Sequence, residues 1–339
     1  MRRVSAQSLI WALAILLPVA ALVSMTVGTV NISLADTLSA VVGNSVSQQT
    51  DTILFDIRLP RILLAIFVGA VLASTGAVMQ GLFRNPLADP SLIGVSSGAS
   101  VGASLMIVTA GGFIQSGALV GLSLVAMGAF VGGFAATLLV YRLATSGIGT
   151  SVTTMLLAGI AIGALAGALN SLLSYFSDND MLRQISLWQM GNLSGASWLK
   201  VSIMGAVAIF LMLLFPRESK VLNALLLGES EARHLGIDVQ RVKRRLIILT
   251  ALGVGVSAAL AGLVGFVGLI MPHIVRLAIG PDHRWLVPGS ALAGATLLVI
   301  ADSLARIVVI PAELPTGILT ALLGAPFFVA LLLKQRKDV

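Results

Sequence analysis

Apolar residues run through this chain in long blocks, and few polar residues separate them. Taken in order, the blocks predict helices at about 9–28, 61–81, 91–109, 115–140, 151–174, 199–216, 245–266, 268–280, 286–307 and 315–333. A helix needs about 20 residues to cross roughly 30 Å of hydrocarbon. The eighth block is too short to cross alone and carries Pro272, His273 and Arg276. It reads as a short or broken helix enclosed by protein. The pattern thus predicts an all-α, polytopic transmembrane bundle of about ten helices, with nine as the alternative count.

The longest polar interruption is residues 217–245, RESKVLNALLLGESEARHLGIDVQRVKRR. Leu222, Leu225 and Leu226 share an i, i+3, i+4 face, and Leu235, Val239 and Val242 form a second face past a break at Gly236. Glycine readily takes the backbone conformation that ends a helix. Two short amphipathic helices beside the membrane follow. They serve either as a loop on lipid headgroups or as a dock for another protein. Glu229, Glu231 and Asp238 sit poorly against anionic lipid, which favours the dock.

Composition narrows the class. Of the 339 residues, 57% are hydrophobic and 10% are charged, against about 25% charged in a soluble protein. Mean hydropathy is +1.02. With no Cys, disulfides and thiolate metal sites are excluded. A net charge of +7 would suggest nucleic acid in a soluble chain, but here it lies in short loops and reports topology instead. With ten spans and an inside N-terminus, 15 of the 21 Lys and Arg fall inside and five outside, with Arg276 within a span. Both termini, including the tail 334–339, are therefore expected in the cytoplasm. Arg2, Arg3 and the apolar run after them resemble a signal sequence, yet the run's length and the lack of a clear small-residue cleavage site favour a retained first span.

Residues 58–94 and 244–280 align without a gap at an offset of 186, with 12 identities in 37 positions. Arg58 matches Arg244, Gly69 Gly255, Gly76 Gly262, Pro86 Pro272 and Gly94 Gly280. The copies start five spans apart, an odd number, so they would be inverted in the membrane, as in many transporters. The repeats are placed at about 58–174 and 244–333 within one transmembrane domain, 1–333, interrupted by the segment 217–244. Stripes such as Gly69, Ala73, Gly76 and Gly159, Gly163, Gly167 let helix backbones approach closely where lipid supplies no hydrophobic drive.

Four segments, together with Glu231–Gly236, carry a family resemblance. They are RLPR at 58–61, GAVMQGLFRNPLADPSLIGVSSGA at 76–99, GFVGLIMPHIVR at 265–276 and ELPTGILTALLGAPFF at 313–328. The chain resembles the permease subunits of bacterial ATP-driven importers for iron–siderophore complexes, heme and vitamin B12, most of all the heme permeases of Gram-negative bacteria. The resemblance implies ten helices per subunit, a homodimer with the pathway on its twofold axis, two cytoplasmic ATPases, and a periplasmic binding protein, all at the bacterial inner membrane. It assigns ATPase coupling to residues around 222–240, with Leu222, Leu225, Leu226, Glu229, Glu231, Arg233, Leu235 and Gly236 as contacts. It makes Arg58 and Arg61 outward-facing docking positions for the binding protein, and it puts spans five and ten beside the pathway.

No GxxxxGK followed by Ser or Thr occurs, so ATP hydrolysis with its Mg²⁺ belongs to a partner, and no catalytic residue or resident cofactor is expected in this chain. Heme is the possible substrate. His273 and Arg276 share a helical face, so they could offer imidazole to iron and guanidinium to a propionate, or simply make structural hydrogen bonds. Met155, Gly159 and Gly163 are further pathway candidates. Asp302 and Arg306, at i and i+4, read as an intramembrane pair or a substrate contact. An ion-gradient-driven carrier is the rival class, but it has no need of an ATPase dock.

Overall fold

In the computed structural model, which describes residues 5–43, 47–110, 119–147 and 149–335, the apolar blocks are helices in the expected order. They are α1 (Ala6–Thr26), α4 (Leu59–Leu82), α5 (Val95–Thr109), α6 (Leu119–Ala144), α7 (Val152–Tyr175), α9 (Trp198–Leu214), α12 (Val239–Ala261), α13 (Val267–Ile279), α14 (His283–Ala305) and α15 (Thr316–Gln335). Shorter helices fall between them: α2 (Leu34–Val41), α3 (Gln48–Asp51), α8 (Asn179–Gln189), α10 (Ser219–Leu227) and α11 (Glu229–His234). Strands β1 (Thr145–Ser146) and β2 (Gly149–Thr150) form a small antiparallel hairpin between α6 and α7. Among the described residues, seven helices are long and apolar enough to cross a membrane, and α5, α13 and the apolar part of α15 are shorter apolar helices. Arg2, Arg3, Arg336, Lys337 and the expected start of the fourth block at 115 lie outside the described residues.

Local chemistry sets the helix ends. Ser5, Ser33, Ser151 and Ser197 each accept an N-terminal backbone N–H of the helix that follows, as Asp238 does for α12 and Asp282 for α14. Asp238 therefore starts α12 at Val239, six residues before the expected 245. This moves Val239 and Val242 onto the long helix and leaves Leu235 outside it, so the second amphipathic face does not exist as one element. The polar stretch before α4 is also more ordered than its pattern suggested, because α3 and a π-helical turn, Thr52–Arg58, run directly into α4.

The repeat alignment holds only in part. Gly94 and Gly280 both sit just past a short helical element with positive φ, +83° and +97°. Their partners diverge. Pro86 lies in a loop, whereas Pro272 is inside α13. Gly76 is within α4, whereas Gly262 ends α12 at φ +69°.

The helices group into two compact units. In the first, formed by Met1–Ala77, Asn192–Arg217 and Val264–Val339, α4 packs against α13 and α14 by backbone contact. A Cβ on Gly69 would stand 2.4 Å from the Gly294 carbonyl oxygen, and one on Gly76 only 1.8 Å from that of Gly268. The second unit comprises Val78–Gly191 and Glu218–Leu263. There α5 lies on α6 through Gly98 with Gly132 and Gly102 with Gly128, and Ala99, Ala103, Ile107, Val125, Ala129, Ile185 and Ala258 form a buried core. Asn170 of α7 accepts from Ser104 at 2.7 Å and donates to Ser100 at 3.0 Å, joining α7 to α5. Interhelical bonds of this kind hold membrane helices where hydrophobic drive is absent.

Candidate functional site: a charged joint and a polar segment

In the first unit, the buried charges gather around the end of α1. Arg61 Nε lies 3.0 and 2.9 Å from the two oxygens of Asp302, and Arg61 Nη1 lies 2.7 Å from Glu313. Asp302 also accepts from the Thr316 hydroxyl at 3.0 Å and approaches Arg306 Nε at 3.4 Å. Two carboxylates thus face Arg61 and Arg306, and Arg58 has no carboxylate partner in this cluster. Arg61 Nη2 is buried without a hydrogen-bond partner among the described residues, whereas Arg58 and Arg306 are held mainly by carbonyls. Arg58 donates to those of Met25 and Val30, and Arg306 to those of Ser24 and Val27. Ser24 and Met25 belong to the last turn of α1, whose carbonyls have no partner within the helix and carry its negative dipole end. The joint therefore ties α1, α4, α14 and the start of α15 at one place.

Arg58 and Arg61 were expected to face outward. Each is only 5% exposed in this chain. Asp302 and Arg306 do approach each other, but the two-oxygen contact from Arg61 on α4 is the shorter one. Glu313 and Thr316 were not named as partners, although both stand in the ELPT string at 313–316.

The polar segment is two short helices, split at Gly228 rather than at Gly236. Gly228 has φ +130°, a conformation that side chains rarely adopt, and Gly236 at φ +81° follows α11. Leu222 and Leu225 are buried, so they hold α10 in place and do not form an outer face. Leu226 is exposed, Leu227 is 71% exposed, and Leu235 is 66% exposed beside exposed Glu231, Arg233 and Gly236. Leu227 was missed. The signal was there, since in Leu225-Leu226-Leu227, at 100° per residue, not every side chain can turn inward.

Glu229 works inside the unit. It receives the Lys243 ammonium at 2.7 Å, and Lys243 also donates to the Thr150 carbonyl at 2.9 Å. The Thr150 N–H donates to Gln240 Oε1 at 2.9 Å. Buried Lys243 thus fastens α11 and the β1–β2 hairpin to the base of α12.

Two pathway candidates point away from open space. Met155 is buried, and a Cβ on Gly159 would stand 1.8 Å from the Leu92 carbonyl oxygen, so both lie on the packed side of α7. Gly163 is half-buried with Ser97 Oγ at 3.5 Å from its would-be Cβ. The open side of α7 carries Leu157, Ile160, Leu165 and Leu172. His273 is buried, meets the Phe327 ring edge-on at 6.1 Å, and neither ring nitrogen has a hydrogen-bond partner among the described residues; Arg276 is half-buried one turn on. Among the described residues, no group of three His, Cys, Asp or Glu could hold a metal ion.

Comparisons with known proteins cover nearly the whole chain. A model of the FecCD transport family matches residues 16–334. The chain is 44% identical over 336 residues to the hemin transport system permease protein HmuU of Yersinia pestis, covering 99% of this chain and 98% of that one. It is 42% identical over 338 residues to the vitamin B12 import system permease protein BtuC of Shigella boydii, with the same coverage. Among solved structures, an inward-facing metal-chelate type ABC transporter superposes with TM-score 0.85 at 34% identity, covering 97% of this chain and 99% of that chain.

Proposed function

The chain belongs to the FecCD transport family, and on that premise we propose that its cargo is heme, carried from periplasm to cytoplasm. It is the permease subunit of an ATP-binding-cassette importer for a metal-chelate substrate, and it is not itself an enzyme. Permeases of this family work in membrane-embedded complexes with ABC ATPases and periplasmic binding proteins. The observation that carries heme is the end-to-end likeness to the hemin permease. Vitamin B12 is the second reading, favoured by the nearly equal likeness to the B12 permease.

The discriminating experiment is ATP-dependent uptake into proteoliposomes holding the assembled importer, with heme, a ferric siderophore and cobalamin compared. Heme should accumulate at least about tenfold faster than either rival, a difference of ~1.4 kcal/mol in transition-state binding. Faster accumulation of cobalamin would overturn the heme assignment and leave the importer class standing.

In this reading two copies of the chain assemble with two cytoplasmic ATPases. The exposed apolar faces of α7 and of α15, where Leu322, Leu323 and Val329 stand open, support a second copy and a pathway beside it. The basic bias of the loops supports an arrangement with both termini and α10–α11 in the cytoplasm.

The ATPase then meets Leu226, Leu227, Glu231, Arg233 and Leu235, since exposed leucines in a charged segment mark an interaction surface. Lys243 carries the movement onward from α11 to α12 and the hairpin. Replacing Leu227 and Leu235 together by serine is expected to cut ATPase co-purification by at least about tenfold, because each leucine buried at an interface contributes on the order of 1 kcal/mol or more. Both side chains are exposed in the isolated chain, so membrane insertion and thermal stability should stay unchanged. Unaltered co-purification would sink the coupling assignment.

A further inference from the structure

Of the four basic residues that open α12, three have an acidic partner. Arg241 lies 3.3 Å from Asp238, Lys243 lies 2.7 Å from Glu229, and Arg245 lies 2.6 Å from Glu218. Arg244 is exposed and has no ion-pair or hydrogen-bond partner among the described residues. Its counterpart in the repeat alignment, Arg58, is occupied by the carbonyls of Met25 and Val30. Arg244 instead borders a cleft of about 100 Å³ between α6 and α12, walled by Phe134, Leu138, Tyr141, Ile248 and Ala251. The hydroxyl of Thr137, at the same cleft, is already given to the Gly133 carbonyl at 2.9 Å. Polar recognition there falls to Arg244 and Tyr141.

We propose that this cleft is a binding site for an anionic phospholipid of the bilayer, with an acyl chain between α6 and α12 and the phosphate on Arg244 beside the Tyr141 hydroxyl. The depth fits. Arg244 is five residues past the start of α12, about 8 Å along its axis, where a helix leaves the headgroup region for hydrocarbon. Met127, Val131, Phe134 and Leu138, spaced i, i+4, i+7 and i+11, form an exposed apolar stripe on α6 that leads along the hydrocarbon to the cleft. Tyrosine is enriched at that level of a membrane. A planar guanidinium suits the oxygens of a phosphate. Arg142, exposed and next to Tyr141, adds a second positive charge at the same end of α6. Basic pockets between transmembrane helices recognise anionic headgroups on these grounds. A protein occupant would have to match a nearly apolar wall and bring its own carboxylate to Arg244. Lipid supplies both parts in one molecule.

The site rests only on α6 and α12 standing in a membrane, so its failure would leave the importer reading untouched. The test is native mass spectrometry of the transporter extracted in mild detergent and titrated with phosphatidylglycerol or phosphatidylethanolamine. The wild type should retain one phosphatidylglycerol per chain about tenfold more tightly than phosphatidylethanolamine. Arg244→Gln combined with Tyr141→Phe should abolish that preference, while Arg183→Gln on α8, also exposed, should preserve it. Equal retention of the two lipids by the wild type, or an unchanged preference in the double variant, would overturn the proposal. So would disulfide-linked dimers of an Ile248→Cys variant, because the chain has no Cys of its own and such a link would put a second protein copy over the cleft.

Discussion

Replacing Asp302 by alanine is expected to cost about 3–5 kcal/mol of stability, because it strips the shared carboxylate from two buried arginines at once. The Arg61 and Arg306 side chains are 6% and 4% exposed, and Asp302 itself is 1% exposed. The Arg306 guanidinium cannot reach water without disturbing the end of α1, where the carbonyls of Ser24 and of the capping Val27 hold it at 3.1 and 2.9 Å. Arg61 would keep Glu313, which softens the loss on that side. The readout is thermal unfolding of the detergent-extracted protein, with membrane yield as a second measure. A triple variant, Asp302→Leu with Arg61→Met and Arg306→Met, separates the causes. Replacing a whole buried ion cluster by apolar side chains is often neutral or stabilising, whereas removing one partner strands the others. The triple variant should therefore recover most of what the single one loses. Equal losses in both would mean that the joint matters through its packing rather than its charges.

The second large effect is expected at Gly76. A methyl group there would stand 1.8 Å from the Gly268 oxygen, 2.5 Å from its carbon and 2.8 Å from its Cα. All three are backbone atoms, so no side chain can swing aside, and α4 must move away from α13 by well over an ångström. Overpacking a tight interior costs about 1–3 kcal/mol, and an obstacle made of backbone belongs at or above the upper end. Gly76→Ala should therefore lower thermal stability sharply and reduce transport with it. Gly167 on α7 is the matched control, since nothing lies within 4 Å of its would-be Cβ. Alanine there should leave the chain's stability unchanged or raise it by up to about 1 kcal/mol through helix propensity. A stable chain whose assembly fails on Gly167→Ala would place a second copy against α7.

The polar segment 217–245 separates what pattern can read from what it cannot. Its two helices were legible because charges and leucines alternate between long apolar blocks. Their division was not, since Gly228 and Gly236 are both capable of ending a helix and only the packed backbone shows which one separates α10 from α11. Leu222 and Leu225 had the right spacing for a face, yet an amphipathic face has the same spacing whether it meets an ATPase or its own protein. Glu229 likewise reads as a surface acid until Lys243, fourteen residues on, is found beneath it.

The joint at Asp302 shows the same limit from the other side. Sequence spacing exposed the i, i+4 pair with Arg306, because a helix makes those neighbours by itself. It could not expose Arg61, 241 residues away, or the carbonyls of Ser24 and Val27. Hydropathy and charge placement by themselves determined that this chain is a multi-span helical membrane protein, because burying each helix's backbone in lipid demands an unbroken apolar run of set length. Motifs in order determined the family. Tertiary structure alone decided which glycines touch backbone, which arginines are buried in carbonyls, and which leucines remain free, because each answer depends on what another helix places within a few ångströms.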